Sequence, residues 1–177
     1  MRVGGSVLVD FKCEEAVALT VSGKASGVAT LKTYYEDDTL VLETEATDAK
    51  SRRDRGPLRV VLRLPTAPDV EVQGAATVAM HDIEQAKICF EINGSGCVSA
   101  VGKVSSLEVT VGGAGELKAR GLIAEKATVA VSGSGDAEVA VQQVVIGRVE
   151  EAGSLVVHGQ PPTRSILIQE AGCIKFR

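Results

Sequence analysis

The sequence predicts an all-β fold, a right-handed parallel β-helix wound as a solenoid of ~19-residue coils. Three observations predict it. First, a motif recurs six times, starting at Val72, Ile92, Val111, Val131, Val149 and Ile168, at spacings of 20, 19, 20, 18 and 19 residues. Second, apolar residues stand six and eight places after each start, which is strand period rather than helix period. Third, a corner of small residues separates the start from those positions, clearest in Asn93-Gly94-Ser95-Gly96, Gly112-Gly113-Ala114-Gly115 and Ser132-Gly133-Ser134-Gly135. A unit of ~19 residues is too short for strand-helix-strand, which needs ~30. Two or three short strands joined by bends fit it.

Taken from the N-terminus, residues 1–69 form a strand-rich section that caps or extends the solenoid. Residues 70–177 form its repeat coils, and the two make one continuous domain. Val7, Val9 and Phe11 alternate, as do Leu19 and Val21. Val28–Tyr34 and Thr39–Glu45 flank the acidic turn Glu36-Asp37-Asp38 and read as a hairpin. Leu58, Val60, Leu62 and Leu64 alternate with Arg59 and Arg63, giving a strand with one wet face. Pro65 and Pro68 punctuate the chain before the first coil. The basic run Asp48–Gly56 reads as a solvated loop, with anion binding as its functional alternative.

In the coils, the first column (Val72, Ile92, Val111, Val131, Val149, Ile168) is β-branched throughout and points inward. The sixth-place column is Val78, Val98, Leu117, Ala137, Leu155 and Ile174. The eighth-place column is Met80, Ala100, Ala119, Val139, Val157 and Phe176. The corner ends in Ala76, Gly96, Gly115, Gly135, Gly153 and Gly172, preceded by Ala75, Ser95, Ala114, Ser134, Ala152 and Ala171. Both columns read as a buried bend without room for side chains, where Gly also accepts positive φ. Gly159-Gln160-Pro161-Pro162 reads as a surface excursion before a strand at Ile166–Gln169, because proline cannot donate to a central ladder.

Composition narrows the function. A net charge of −4 argues against a nucleic-acid partner, and the absence of an ~18-residue apolar run excludes a helical membrane span. Only 3% of residues are aromatic, compatible with a narrow interior of Val, Ile, Leu and Ala. Met1–Ser6 lack a basic-then-apolar signal, so the chain either stays inside the cell or begins after a removed leader. Cys97 and Cys173 share a column four coils apart, ~19 Å by strand spacing against the ~7 Å a disulfide spans. Cys13 and Cys89 have no evident mates, so all four cysteines read as reduced thiols.

The Gly-Ser-Gly-Asp corner at Gly133–Asp136, its relatives at ~20-residue intervals, and the late His158-Gly159-Gln160-Pro161 together carry a resemblance. So do Asp37-Asp38-Thr39-Leu40-Val41-Leu42 and the Leu58–Pro65 segment ahead of the coils. The chain resembles the putative auto-transporter adhesin, head GIN domain family of bacterial β-helix proteins, from about Val7 to Phe176. The resemblance implies a β-helical domain with an adhesive or surface-binding role in the cell envelope, and brings no catalytic residues. Glu151 and Glu170 depart from the pattern, standing where the first corner Gly is expected.

Enzymatic chemistry on a β-helix needs carboxylates converging on one face, as acid and base or as Ca²⁺ ligands. Glu116 and Asp136 share an outward column, and Lys118 and Glu138 are neighbours two places on. A catalytic or metal site is the functional reading of this patch; the preferred reading is a surface ladder with Lys118 between acids. His81 and His158 lie about four coils apart and cannot share a zinc. Gly96–Lys103 has five residues between its glycines where a phosphate loop has four. Tyr34 and Tyr35 are adjacent, so one faces each side of its strand, a thin basis for a sugar site. The sequence therefore predicts a non-enzymatic, adhesin-like binding module with no cofactor and a protein or glycan surface partner. A self-assembling scaffold and a polysaccharide-active enzyme are its alternatives.

Overall fold

The computed structural model describes residues 1–44 and 56–177. Its elements in order are β1 (Arg2–Gly5), β2 (Leu8–Cys13), β3 (Ala18–Ser22), α1 (Ala25–Val28), β4 (Leu31–Glu36), β5 (Thr39–Thr44), β6 (Arg59–Leu64) and β7 (Val70–Gly74). They continue as β8 (Thr77–Gly94), β9 (Cys97–Gly113), β10 (Glu116–Gly133), β11 (Asp136–Val149), β12 (Ser154–His158), β13 (Thr163–Ile168) and β14 (Cys173–Phe176). Successive coils pair in parallel and stack into a β-solenoid of about five turns. The basic run Asp48–Gly56 lies outside the described residues, except for Gly56.

The repeat columns are the observed ladder. Val72 pairs with Ile92, Ile92 with Val111, Val111 with Val131, Val131 with Val149 and Val149 with Ile168. The sixth-place column runs unbroken from Val78 to Ile174. These and the eighth-place column are buried until the last rung, where Ile168 of the first column is 49% and Phe176 of the eighth-place column 38% exposed. The sequence places these two side chains inside. They are open because β13 pairs only with β11 and β14 only with β12, so among the described residues no further coil covers them.

The corner divides its labour differently from the sequence reading. Gly96, Gly115, Gly135 and Gly153 are buried, but Ala75, Ser95, Ala114, Ser134, Ala152 and Ala171 before them are exposed. Positive φ falls on the first corner residue instead: Gly74 (95°), Gly94 (131°), Gly113 (83°) and Gly133 (89°). Glu151 and Glu170 continue this left-handed column at 56° and 59°, so their departure in residue type leaves the backbone path unchanged. The final glycines are required by space: a Cβ at Gly96, Gly115 or Gly135 would lie 2.4–2.6 Å from Val72, Ile92 or Val111, respectively, of the coil beneath.

Only this corner interrupts the main coils. β8, β9 and β10 are each 17 or 18 residues long and bend without leaving the ladder, rather than breaking into short strands. Register shifts between Met80 and Ile83, Lys118 and Gly121, and Ala119 and Ile123 take up the variation in coil length at the second bend.

The N-terminal residues both extend and cap the solenoid. β1 lies between β5 and β7, and β2 between β6 and β8, so the first strands of the chain are threaded between later ones. Val3 thereby joins the first inward column, and Val9 and Phe11 the other two. β3 then pairs antiparallel with β6, and β4 antiparallel with β5. The hairpin turn is Asp37-Asp38, with φ of 46° and 62°, the double left-handed pair of a two-residue loop. The strand expected from Val28 begins only at Leu31. Ala25–Val28 form one helical turn, closed by the Thr30 hydroxyl donating to the Gly27 carbonyl at 2.7 Å. Near the other end, Gly159, Gln160 and Pro162 are exposed, as a surface excursion requires, while Pro161 is buried, and the strand there begins at Thr163.

Candidate functional site

Leu117, Ala119, Ala137 and Val139 face the core, so strand alternation turns Glu116, Lys118, Asp136 and Glu138 outward. Pairing of β10 with β11 sets Glu116 beside Asp136 and Lys118 beside Glu138. The four do come together on one face. Their side chains are engaged unequally, however. Lys118 Nζ lies 2.8 Å from Glu116 Oε2, while Glu138 Oε1 lies 2.5 Å from His158 Nε2. The hydrogen bond and charge of Glu116 hold the Lys118 ammonium above its ordinary range. Lys118 stands beside Glu138 in the ladder and feels its charge, but its ion pair is with Glu116, while Glu138 contacts His158.

His158 is the member that sequence reasoning missed. It stands opposite Ala140, whose short side chain leaves room beside Glu138, and Glu138 and His158 are 20 residues apart. That one-period spacing was the available signal. Behind Glu116, burial pushes the Cys97 thiol up, against the Lys118 charge and with the help of Glu116. Among the described residues no group of three or more His, Cys, Asp or Glu side chains could hold a metal. The four cysteines are free thiols, as expected.

A larger concavity than the charged face offers lies along the second bend. It is an open groove of about 610 Å³ lined by Glu84, Gln85, Lys103, Ser105, Ile123, Glu125 and Gln142. Each of four consecutive coils contributes to it, so it runs along the solenoid rather than around it. Carboxylates, an ammonium and two carboxamides surround Ile123, which is 39% exposed. Sequence reasoning missed this groove because register shifts at the bend scatter its residues off the repeat columns.

Residues 1–161 match the family described as “Putative auto-transporter adhesin, head GIN domain”. The match ends ahead of β13 and β14. A putative adhesin from Bacteroides fragilis superimposes with a TM-score of 0.77 at 18% identity, covering 99% of this chain and 90% of that one. A putative adhesin from Parabacteroides distasonis gives 0.63 at 15% identity, covering 99% and 92%. A putative lipid binding protein from the same species gives 0.53 at 16% identity, with the same coverage. At such identities the likeness is one of fold. No curated protein matches the chain.

Proposed function

The chain belongs to the putative auto-transporter adhesin, head GIN domain family, and on that premise we propose that it is a non-enzymatic binding module acting at a bacterial cell surface or envelope. The observation that carries this reading is the groove along the second bend. Its length over four coils and its mixture of Glu84, Lys103, Glu125 and Gln142 around Ile123 suit an extended partner, protein or glycan, held by many small contacts. Catalysis draws no support from the charged face. Glu116 is paired with Lys118 and Glu138 with His158, so the two carboxylates do not converge on one point as a glycosidase pair does.

The test is saturable binding of fluorescently labelled protein to intact bacteria and to isolated envelope polysaccharide. Ile123→Arg should weaken it by about tenfold while leaving the thermal transition in place. Binding that does not saturate, or that Ile123→Arg leaves unchanged, overturns the reading.

The last rung favours a second reading, self-association. Ile168 and Phe176 belong to inward columns yet are 49% and 38% exposed, and among the described residues β13 and β14 each use one edge only. Sedimentation over a rising concentration series would show growing assemblies, and a constant monomer would remove this alternative.

A further inference from the structure

A second concavity, far from the groove, is created by one missing side chain. In the outward column Glu43–Gly4–Gln73, Gly4 pairs with Glu43 on one side and Gln73 on the other. Rungs are ~4.8 Å apart, so the side chains above and below the glycine are rooted ~9.6 Å apart, and Glu43 leans over the gap, its Cγ 3.4 Å from where a Gly4 Cβ would lie. The resulting notch is a cleft of about 200 Å³ lined by Arg2, Gly4, Tyr34, Val41, Glu43 and Gln73. Strand alternation brings Tyr34 to this side, while Tyr35 lines a different, apolar cleft with Leu40, Leu62 and Leu64.

We propose that this cleft is a carbohydrate subsite that takes one uncharged pyranose ring of a surface glycan. The chemistry is that of sugar recognition: an aromatic wall for the apolar C–H face of the ring, with hydrogen-bonding groups around its hydroxyls. Tyr34 is 42% exposed, and its hydroxyl lies 3.5 Å from Glu43 Oε2, so the wall and an acceptor are adjacent. Arg2 is already committed, at 2.9 Å, to both Glu36 and Glu71. The Gln73 amide nitrogen donates to Glu71, which leaves its carbonyl for a hydroxyl donor. Of the residues lining the cleft, Arg2 is the one cation and is held by Glu36 and Glu71, while Glu43 presents a carboxylate. That lining favours a neutral sugar over uronic and other acidic ones.

This inference is independent of the groove, and its experiment reads only the cleft. Methyl glucoside, methyl mannoside, N-acetylglucosamine and glucuronate would each be titrated into isotope-labelled full chain, to ~50 mM, while backbone amide NMR shifts are followed. The expected result is saturable shifts confined to Gly4, Tyr34, Glu43, Gln73 and their neighbours with at least one neutral sugar, and weaker shifts with glucuronate. Tyr34→Ala should weaken binding by about tenfold, Tyr34→Phe should retain most of it, and Tyr35→Ala should leave it unchanged. Gly4→Leu is the second variant. Gly4 is outside the left-handed region and an added Cβ would meet Glu43 Cγ at 3.4 Å, so the first carbon is accommodated and the rest of the Leu side chain takes the space of the notch. No shift at these amides with any neutral sugar, unchanged affinity in both Tyr34→Ala and Gly4→Leu, or preference for glucuronate would each overturn the proposal.

Discussion

A Cβ added to Gly135 would lie 2.6 Å from Val111 Cγ1 in the preceding coil and 2.8 Å from the Gly115 carbonyl oxygen. The same relationship links Gly115 to Ile92 and Gly153 to Val131. The corner glycine and the β-branched residue beneath it are therefore one packing unit repeated along the axis. Gly135→Val should cost ~3 kcal/mol or more, because a backbone oxygen as well as a side chain blocks the new group. Chemical denaturation measures it. Adding Val111→Ala to Gly135→Ala should restore part of the loss, and strict additivity would contradict direct contact.

Glu151 holds φ of 56° in a column it shares with Glu170 and with Gly74, Gly94, Gly113 and Gly133. Glu151→Gly should stabilise the protein by ~0.5–1 kcal/mol, as relief of left-handed strain exceeds the added freedom of the unfolded chain. Gly133→Ala should do the reverse and more, since its Cβ would sit 2.5 Å from the Gly113 carbonyl oxygen. Paired thermal melts of the two variants would check the opposite signs.

Replacing Lys118 and Glu138 together by alanine should change stability by no more than ~1 kcal/mol, because both pairs it breaks lie on the outward face. Circular dichroism and denaturant midpoints suffice to test this. Loss of an enzymatic activity in that double variant would overturn the structural account of the charged face.

Glu71 gives the pH dependence. Burial works to raise its carboxyl, but hydrogen bonds from Arg2 and Gln73, together with nearby positive charge, bring it below the ordinary carboxylate range. A group whose folded value is depressed contributes stability above its unfolded value and loses it as pH falls through the folded value. The difference in unfolding midpoint between the parent and Glu71→Gln should therefore be constant at neutral pH and shrink below ~pH 4. A difference that grows on acidification would refute the sign.

Much of the fold was legible because a solenoid turns sequence period into spatial contact. The spacing of Val111 and Val131 is enough to make them neighbours, and the same holds for each inward column through Val149. The site was less legible. Glu116, Lys118, Asp136 and Glu138 followed from the columns, whereas the groove around Ile123 did not, because the register shifts there obey no fixed spacing.

The sequence alone determined the rung-to-rung register, the inward columns and the need for small residues at one corner, since each depends on chemistry recurring at a nearly fixed interval. Tertiary structure alone decided that β1 and β2 thread between later strands, and so that Gly4 lies between Glu43 and Gln73. It also decided which corner residue turns left-handed and which is excluded by its neighbour. These are outcomes of long-range pairing and steric contact between coils, for which a single strand carries no periodic mark.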